Sequence, residues 1–224
     1  MCTTPTHPPL PALTVQADRL IELGVRAPGL EPAALLARAT TLQDVAPPGS
    51  LLAVHPRVVA PSVLAGHMTR ALTVRGQRVE RSGFVVADMD DVDDFTPTLD
   101  APVPDADLYA VVDPTRGEEM TNWSPEEALP VITGAGRTPL TLSEGIQWVL
   151  HAPEALKRNR CFMTIGSRLR RPDGTFDART PALWISNGTG RDGSDRRGAP
   201  KVGWCWWRNR HTWLGFASAA ARNR

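Results

Sequence analysis

Residues 201–220, KVGWCWWRNRHTWLGFASAA, place four of the chain's 7 tryptophans within ten positions, together with Cys205, Arg208, Asn209, Arg210 and His211. Side chains alternate across a strand, so a strand over 202–207 puts Val202, Trp204 and Trp206 on one face and Cys205 and Trp207 on the other. Beyond the turn, His211 and Trp213 oppose Thr212, Leu214 and Phe216. The spacing predicts a hairpin of strands 202–207 and 211–217, with Trp204, Trp206 and Trp213 filling a core against Trp184, because indoles supply large buried area. The polar turn is the part such a core does not need. Trp207 as a stacking plate, with Arg208, Asn209 and His211 at the mouth of a cleft, suits a sugar, a nucleobase or a peptide.

Working outward, CFMTIGSRL (161–169) and PALWIS (181–186) are further strand-length apolar runs separated by turn-rich loops, which predicts an antiparallel meander. Upstream of them, Ser124-Pro125-Glu126-Glu127 and Thr141-Leu142-Ser143-Glu144 are capping boxes. They start helices running to about Thr133 and carrying Ile146, Val149 and Leu150, and Pro153 opens a further helical segment to about Arg158. Two short helices are expected after Ala17 and from Pro32, a short strand over 50–59 interrupted by Pro56, and a helix over 61–67 leading into a strand at 71–74. SGFVVADM (82–89) and DLYAVVDP (107–114) read as a pair of strands. Helices early and strands late give an α+β class rather than a βαβ sheet. Residues 1–14, with four prolines, read as a disordered arm, and 15–224 as a single globular domain whose parts are 15–104 and 105–224.

The segments SPEEALPVI, PLTLSEGIQWVL, RCFMTIGSRL, PALWIS and GAPKVGWCWWRNRHTWLGFASA, in that order, resemble an uncharacterised family of actinobacterial proteins known only as a domain of unknown function. The resemblance covers residues 105–220 and is poor over the first hundred. It implies no activity, only that the middle helices and the terminal strands form one unit.

Composition narrows the function classes. Basic and acidic residues number 25 and 24, a net charge of +1, so no global field collects nucleic acid or an anionic membrane. Three unpaired-looking cysteines, no export signal and no long apolar run indicate a reduced, cytoplasmic, soluble protein. No nucleotide, metalloprotease or nucleophile-elbow motif is present, so no cofactor is expected. Asp88, Asp90, Asp91, Asp93 and Asp94 form an acidic run that departs from the calcium-loop template; Asp90 and Asp91 are its weak metal candidates, and solvated charge is the default. Asp173-Gly174 and Asp192-Gly193-Ser194-Asp195 have the look of cation loops, but Pro172-Asp173-Gly174 is better read as a tight turn. Ser167 and Arg168 in GSRLRR are candidates for holding an anion. Cys205 with His211 reads as a small buried hydrophobe near a histidine before it reads as a thiolate and its base.

Three function classes follow. The first is a domain that binds a small molecule or a protein partner through a Trp/Arg-lined cleft at Trp207, Arg208, Asn209 and His211, with Ser167 and Arg168. The second is a metal-dependent or Arg-assisted hydrolase or transferase drawing on Asp90, Asp91, Ser167 and Arg168. The third is a homodimer whose contact the tryptophans form.

Overall fold

The computed structural model describes residues 9–26 and 28–224, so the arm expected over 1–14 lies largely outside the described residues. In chain order the elements are α1 (Leu13–Glu22), α2 (Pro32–Val45), β1 (Leu51–Val54), α3 (Pro61–His67), β2 (Thr69–Val74), β3 (Gln77–Ser82), β4 (Phe84–Val85), β5 (Phe95–Pro97), β6 (Leu108–Val112), α4 (Pro125–Gly134), β7 (Thr138–Pro139), α5 (Leu142–His151), β8 (Cys161–Met163), β9 (Ser167–Leu169), β10 (Arg179–Ile185), β11 (Pro200–Trp206), β12 (Leu214–Phe216), β13 (Ser218–Ala219) and β14 (Ala221–Asn223). The fold is α+β. A five-stranded sheet has the order β12-β8-β10-β11-β4, a three-stranded one β1-β6-β14, and three strand pairs complete it: β13-β7, β2-β3 and β5-β9.

Helix α5 joins the two larger sheets. Its capping box is complete, with Thr141 accepting from the Glu144 N–H and Glu144 accepting from the Thr141 N–H, so two of the donors at the helix start are satisfied reciprocally. Every residue from Leu142 to Leu150 is buried. On one side it meets the five-stranded sheet so closely that a Cβ at Gly145 would lie 2.4 Å from Thr164 Cγ2 and 3.1 Å from Leu183 Cδ1. On the other side Gln147 reaches β1, accepting from the Val54 N–H at 2.6 Å and donating to the Val54 carbonyl at 3.0 Å. Gln16 of α1 does the same two residues earlier, accepting from the Leu52 N–H at 2.8 Å and donating to the Ser50 carbonyl at 2.8 Å. β1 pairs with β6 along one edge, and two buried glutamine side chains stand in for a further strand along the other, where unmade hydrogen bonds would be costly.

The capping-box helices and the 61–67 helix form where the sequence predicts them, but the strands pair differently. The segments 202–207 and 211–217 do not make a hairpin. β11 is taken on both edges, antiparallel to β10 over seven residues and parallel to β4, while β12 runs parallel to β8. The residues between them dock instead on the start of α4, whose Glu126 N–H donates to the Trp207 carbonyl at 3.3 Å, while the Asn122 N–H just before it donates to the His211 carbonyl at 2.8 Å. The meander expected at the C-terminal third is therefore antiparallel only across β8, β10 and β11. The runs at 82–89 and 107–114 do not pair either: β4 joins β11, and β6 lies between β1 and β14. After Pro153 the chain makes one short 3-10 turn, Pro153–Ala155, rather than a helix to Arg158.

The core also differs in its tryptophans. Trp148 of α5 is fully buried, 5.3 Å from Phe162 ring to ring. Trp184, Trp204 and Trp213 are half-buried against the core, whereas Trp206 is 46% exposed. It lies opposite Arg179, at the end of β11.

Candidate functional site

One arrangement that can receive a ligand lies at the other end of β11 from the 207–211 turn. Trp184, Trp204 and Lys201 line a cleft of about 310 Å³ with residues 86–88 after β4 and with Asn187, Thr189, Arg191 and Asp192 of the Gly-rich loop after β10. The local sequence dictates this opening. Gly203 faces Trp184 across the strand pair, and a Cβ there would meet the indole Cη2 at 2.5 Å, so glycine is what lets the ring approach β11 this closely. Trp184 in turn packs edge-on to Trp213 at 6.1 Å, and Trp204 edge-on to Trp206 at 4.5 Å. The buried Nε1–H of Trp204 has no acceptor among the described residues.

Charges in the cleft are paired and cancel. Lys201 Nζ lies 4.8 Å from the centre of the Trp184 ring and 2.7 Å from Asp192 Oδ2, each side chain of the pair being 12% exposed. Asp192 also accepts from the Ser186 hydroxyl at 2.7 Å. Burial alone would raise its pKa, but the hydrogen bonds from Lys201 and Ser186 outweigh that and hold it below the ordinary aspartate value. At the rim Arg191 stands 3.9 Å from Asp88, both largely in solvent.

The residues singled out from the sequence fall into separate places. Trp207 is half-buried, and the Arg168 guanidinium sits 3.9 Å from its ring centre and 5.1 Å from that of Phe176. Arg168 donates to the Asp177 carbonyl at 2.7 Å, and burial pulls its pKa down to about 10. Ser167 is buried and accepts the Leu142 N–H at 2.9 Å, so its hydroxyl is used in starting α5. Arg208 is exposed and pairs with Glu126 at 3.1 Å; Arg210 pairs with Glu127. Asn209 is exposed. His211 is half-buried, edge-on to Trp213 at 5.5 Å, and burial lowers its pKa. The turn thus borders α4 rather than the cleft. Cys205 is largely buried, and burial pushes its thiol up to about 11, the opposite of what a thiolate nucleophile requires.

The acidic run is likewise divided. Asp91 binds Arg179 through both oxygens, at 3.0 and 2.6 Å. Asp93 accepts from the Ser62 N–H and hydroxyl at 2.8 and 2.5 Å, at the start of α3. Asp90 is exposed. Among the described residues no group of three or more His, Cys, Asp or Glu side chains could hold a metal ion, and no helix is long and apolar enough to cross a membrane. Pro172-Asp173-Gly174 is the tight turn expected, with Gly174 at φ 84° and its N–H donating to the Arg171 carbonyl.

A family model described as a family of unknown function (DUF5701) matches residues 19–224. The chain belongs to that family. The DUF5701 match takes in α2, β1 and the β2-β3 hairpin, well beyond the 105–220 region in which the sequence resemblance lay. No curated protein and no solved structure matches the chain. Sequence reasoning missed the cleft because its polar half, Asp192, sits in a loop with the composition of a turn. The available signal was Lys201, one of two lysines in an arginine-rich chain, directly ahead of Val202-Gly203-Trp204.

Proposed function

We propose that the chain is a binding domain whose ligand is a polar, ring-bearing small molecule, neutral or zwitterionic, seated in the Trp184–Trp204 cleft. The observation that carries this reading is the Lys201–Asp192 pair, held at 12% exposure against Trp184 in the cleft wall. Withdrawing two charges from water costs several kcal/mol per ion and adds little net stability, so such a pair is better explained by recognition than by packing. Indole faces offer stacking to a sugar or base, Asn187 and Thr189 offer hydrogen bonds, and the charges of Asp88 and Asp192 cancel those of Arg191 and Lys201. A volume of about 310 Å³ is at the small end of ligand sites and suits a monosaccharide, a nucleoside or an amino acid.

Tryptophan emission and thermal unfolding, followed against a panel of monosaccharides, nucleosides and amino acids, test the reading. At least one compound should shift both signals, and the shift should vanish in Asp192→Asn and weaken in Trp204→Phe. A panel without effect on the wild type, or a shift that survives both substitutions, rejects the cleft as the binding site.

A further inference from the structure

The β2-β3 hairpin carries an arrangement that its own folding does not explain. Its fourteen residues, 69–82, include four arginines against one glutamate. In the antiparallel register Arg70 lies directly opposite Arg81, and Leu72 opposite Val79, so these four share the face that packs toward Gly198, whose Cα is covered by Leu72. Glu80 falls on the other face, opposite Ala71. Like charges directly opposite across a strand pair destabilise it, and here they are half-buried as well. None of the ion pairs among the described residues involves Arg70, Arg75, Arg78, Arg81 or Arg158, in contrast to Arg57, Arg179 or Arg222 elsewhere. Among the described residues Arg70 donates only to the Gly198 carbonyl, at 3.3 Å, and Arg81 Nε is buried with no acceptor.

Further cations converge on the same place. Arg158 acts on Arg70 as a neighbouring positive charge. Arg196, stacked 4.3 Å above Phe84, and Arg197 immediately precede Gly198. In a chain of net charge +1, the base of this hairpin therefore carries two facing arginines, Arg70 and Arg81, with no acidic partner among the described residues.

We propose that Arg70 and Arg81, flanked by Arg158 and the Arg196–Arg197 pair, form an anion site for the phosphoryl group of a small ligand. A phosphoryl group carries about two negative charges and three acceptor oxygens, and it would supply the acceptor that the buried Arg81 Nε lacks. Arg196 also acts as a neighbouring positive charge on Asp192 of the tryptophan cleft, so the two sites adjoin, but neither Arg70 nor Arg81 lines that cleft.

The test uses inorganic phosphate and pyrophosphate, with ionic strength matched by chloride, on the wild type, Arg81→Glu and Arg70→Gln. In the wild type both anions should raise the unfolding temperature and bind measurably by calorimetry. Arg81→Glu places an opposite charge across from Arg70, so this variant should unfold at or above the wild-type temperature without phosphate, which shows that it folds. Its phosphate affinity should fall by roughly tenfold or more, the equivalent of one charge-assisted contact. Arg70→Gln should show the same loss. A phosphate effect that persists undiminished in Arg81→Glu reflects only exclusion of the salt from the surface and overturns the site. So does a wild type indifferent to both anions. Salt-steep binding of a short oligonucleotide with no response to pyrophosphate also overturns it, assigning the patch to nucleic acid.

Discussion

Arg222 of β14 grips both carboxylate oxygens of Glu144 in α5, Nε to Oε1 at 2.6 Å and Nη2 to Oε2 at 2.8 Å, with the two side chains 4% and 0% exposed. The same carboxylate accepts from the Tyr109 hydroxyl at 3.0 Å and from the Thr141 N–H at 2.8 Å. Glu144 therefore caps its own helix while tying the three-stranded sheet to it. Burial and the neighbouring carboxylate both push the Tyr109 phenol well above its usual pKa. Arg222→Met should cost about 3–5 kcal/mol, because it strands a buried carboxylate. The double variant Arg222→Met/Glu144→Gln should recover part of that loss. Urea midpoints of the two proteins check it, and equal midpoints would show that the pair is not coupled.

Trp148 and Trp206 should separate under truncation. Trp148→Ala empties a fully buried site in α5 and should cost about 3–5 kcal/mol. Trp206→Ala removes a ring already 46% in water and should cost under about 1.5 kcal/mol, roughly what its edge-on contact with Trp204 supplies. Denaturant midpoints that place Trp206→Ala at or below Trp148→Ala would contradict the burial described.

Gln147→Leu keeps much of the side-chain volume but leaves the Val54 N–H and carbonyl without partners on the β1 edge. Each buried unmade hydrogen bond costs about 1–3 kcal/mol. Amide exchange should therefore accelerate at Val54 in this variant, while β8 and β10 keep their protection.

His151, enclosed at the end of α5, has its pKa lowered from 6.5 to about 3 by burial, with a weak opposing contribution from the Leu52 backbone. A folded pKa below the unfolded one means that stability is complete above pH 6.5 and declines as pH falls toward 3. Each unit in that window costs about 1.4 kcal/mol at most. His55 and His211 are shifted the same way, with more water around them. Between pH 6.5 and 5, before carboxylates protonate, the loss of stability should be shallower in His151→Leu than in the wild type. Parallel slopes in thermal unfolding would refute the assignment.

Helices were legible in the sequence because their starting signals are local. Ser124 with Glu127 and Thr141 with Glu144 complete their boxes within four residues, so no tertiary contact is needed to read them. Strand existence was also legible from apolar runs. Strand partners were not, because an apolar run states which face is buried and not which neighbour completes the ladder. Leu214–Phe216 finds Cys161–Met163 rather than its sequence neighbour, and Phe84–Val85 finds a strand beyond residue 200. For the same reason the candidate site moved along β11. Trp207 and Arg168 are in contact, yet the contact consumes both, and Lys201, Asp192 and Trp184 meet only once β10 and β11 are aligned in register.

Residues 214–223 pass through three different sheets, as β12, β13 and β14, and Ala221 of β14 pairs with Val112, more than a hundred positions earlier. Closing loops of that size spends chain entropy before any contact repays it, so this segment should be the slow, late step of refolding. Until it arrives, β6 has one open edge, Glu144 has lost its guanidinium partner, and β8 is exposed to pairing with a strand from another molecule. The hazard for this chain lies in time rather than in equilibrium: an unfinished intermediate, concentrated enough, has the edges to aggregate before residues 214–223 can seal them.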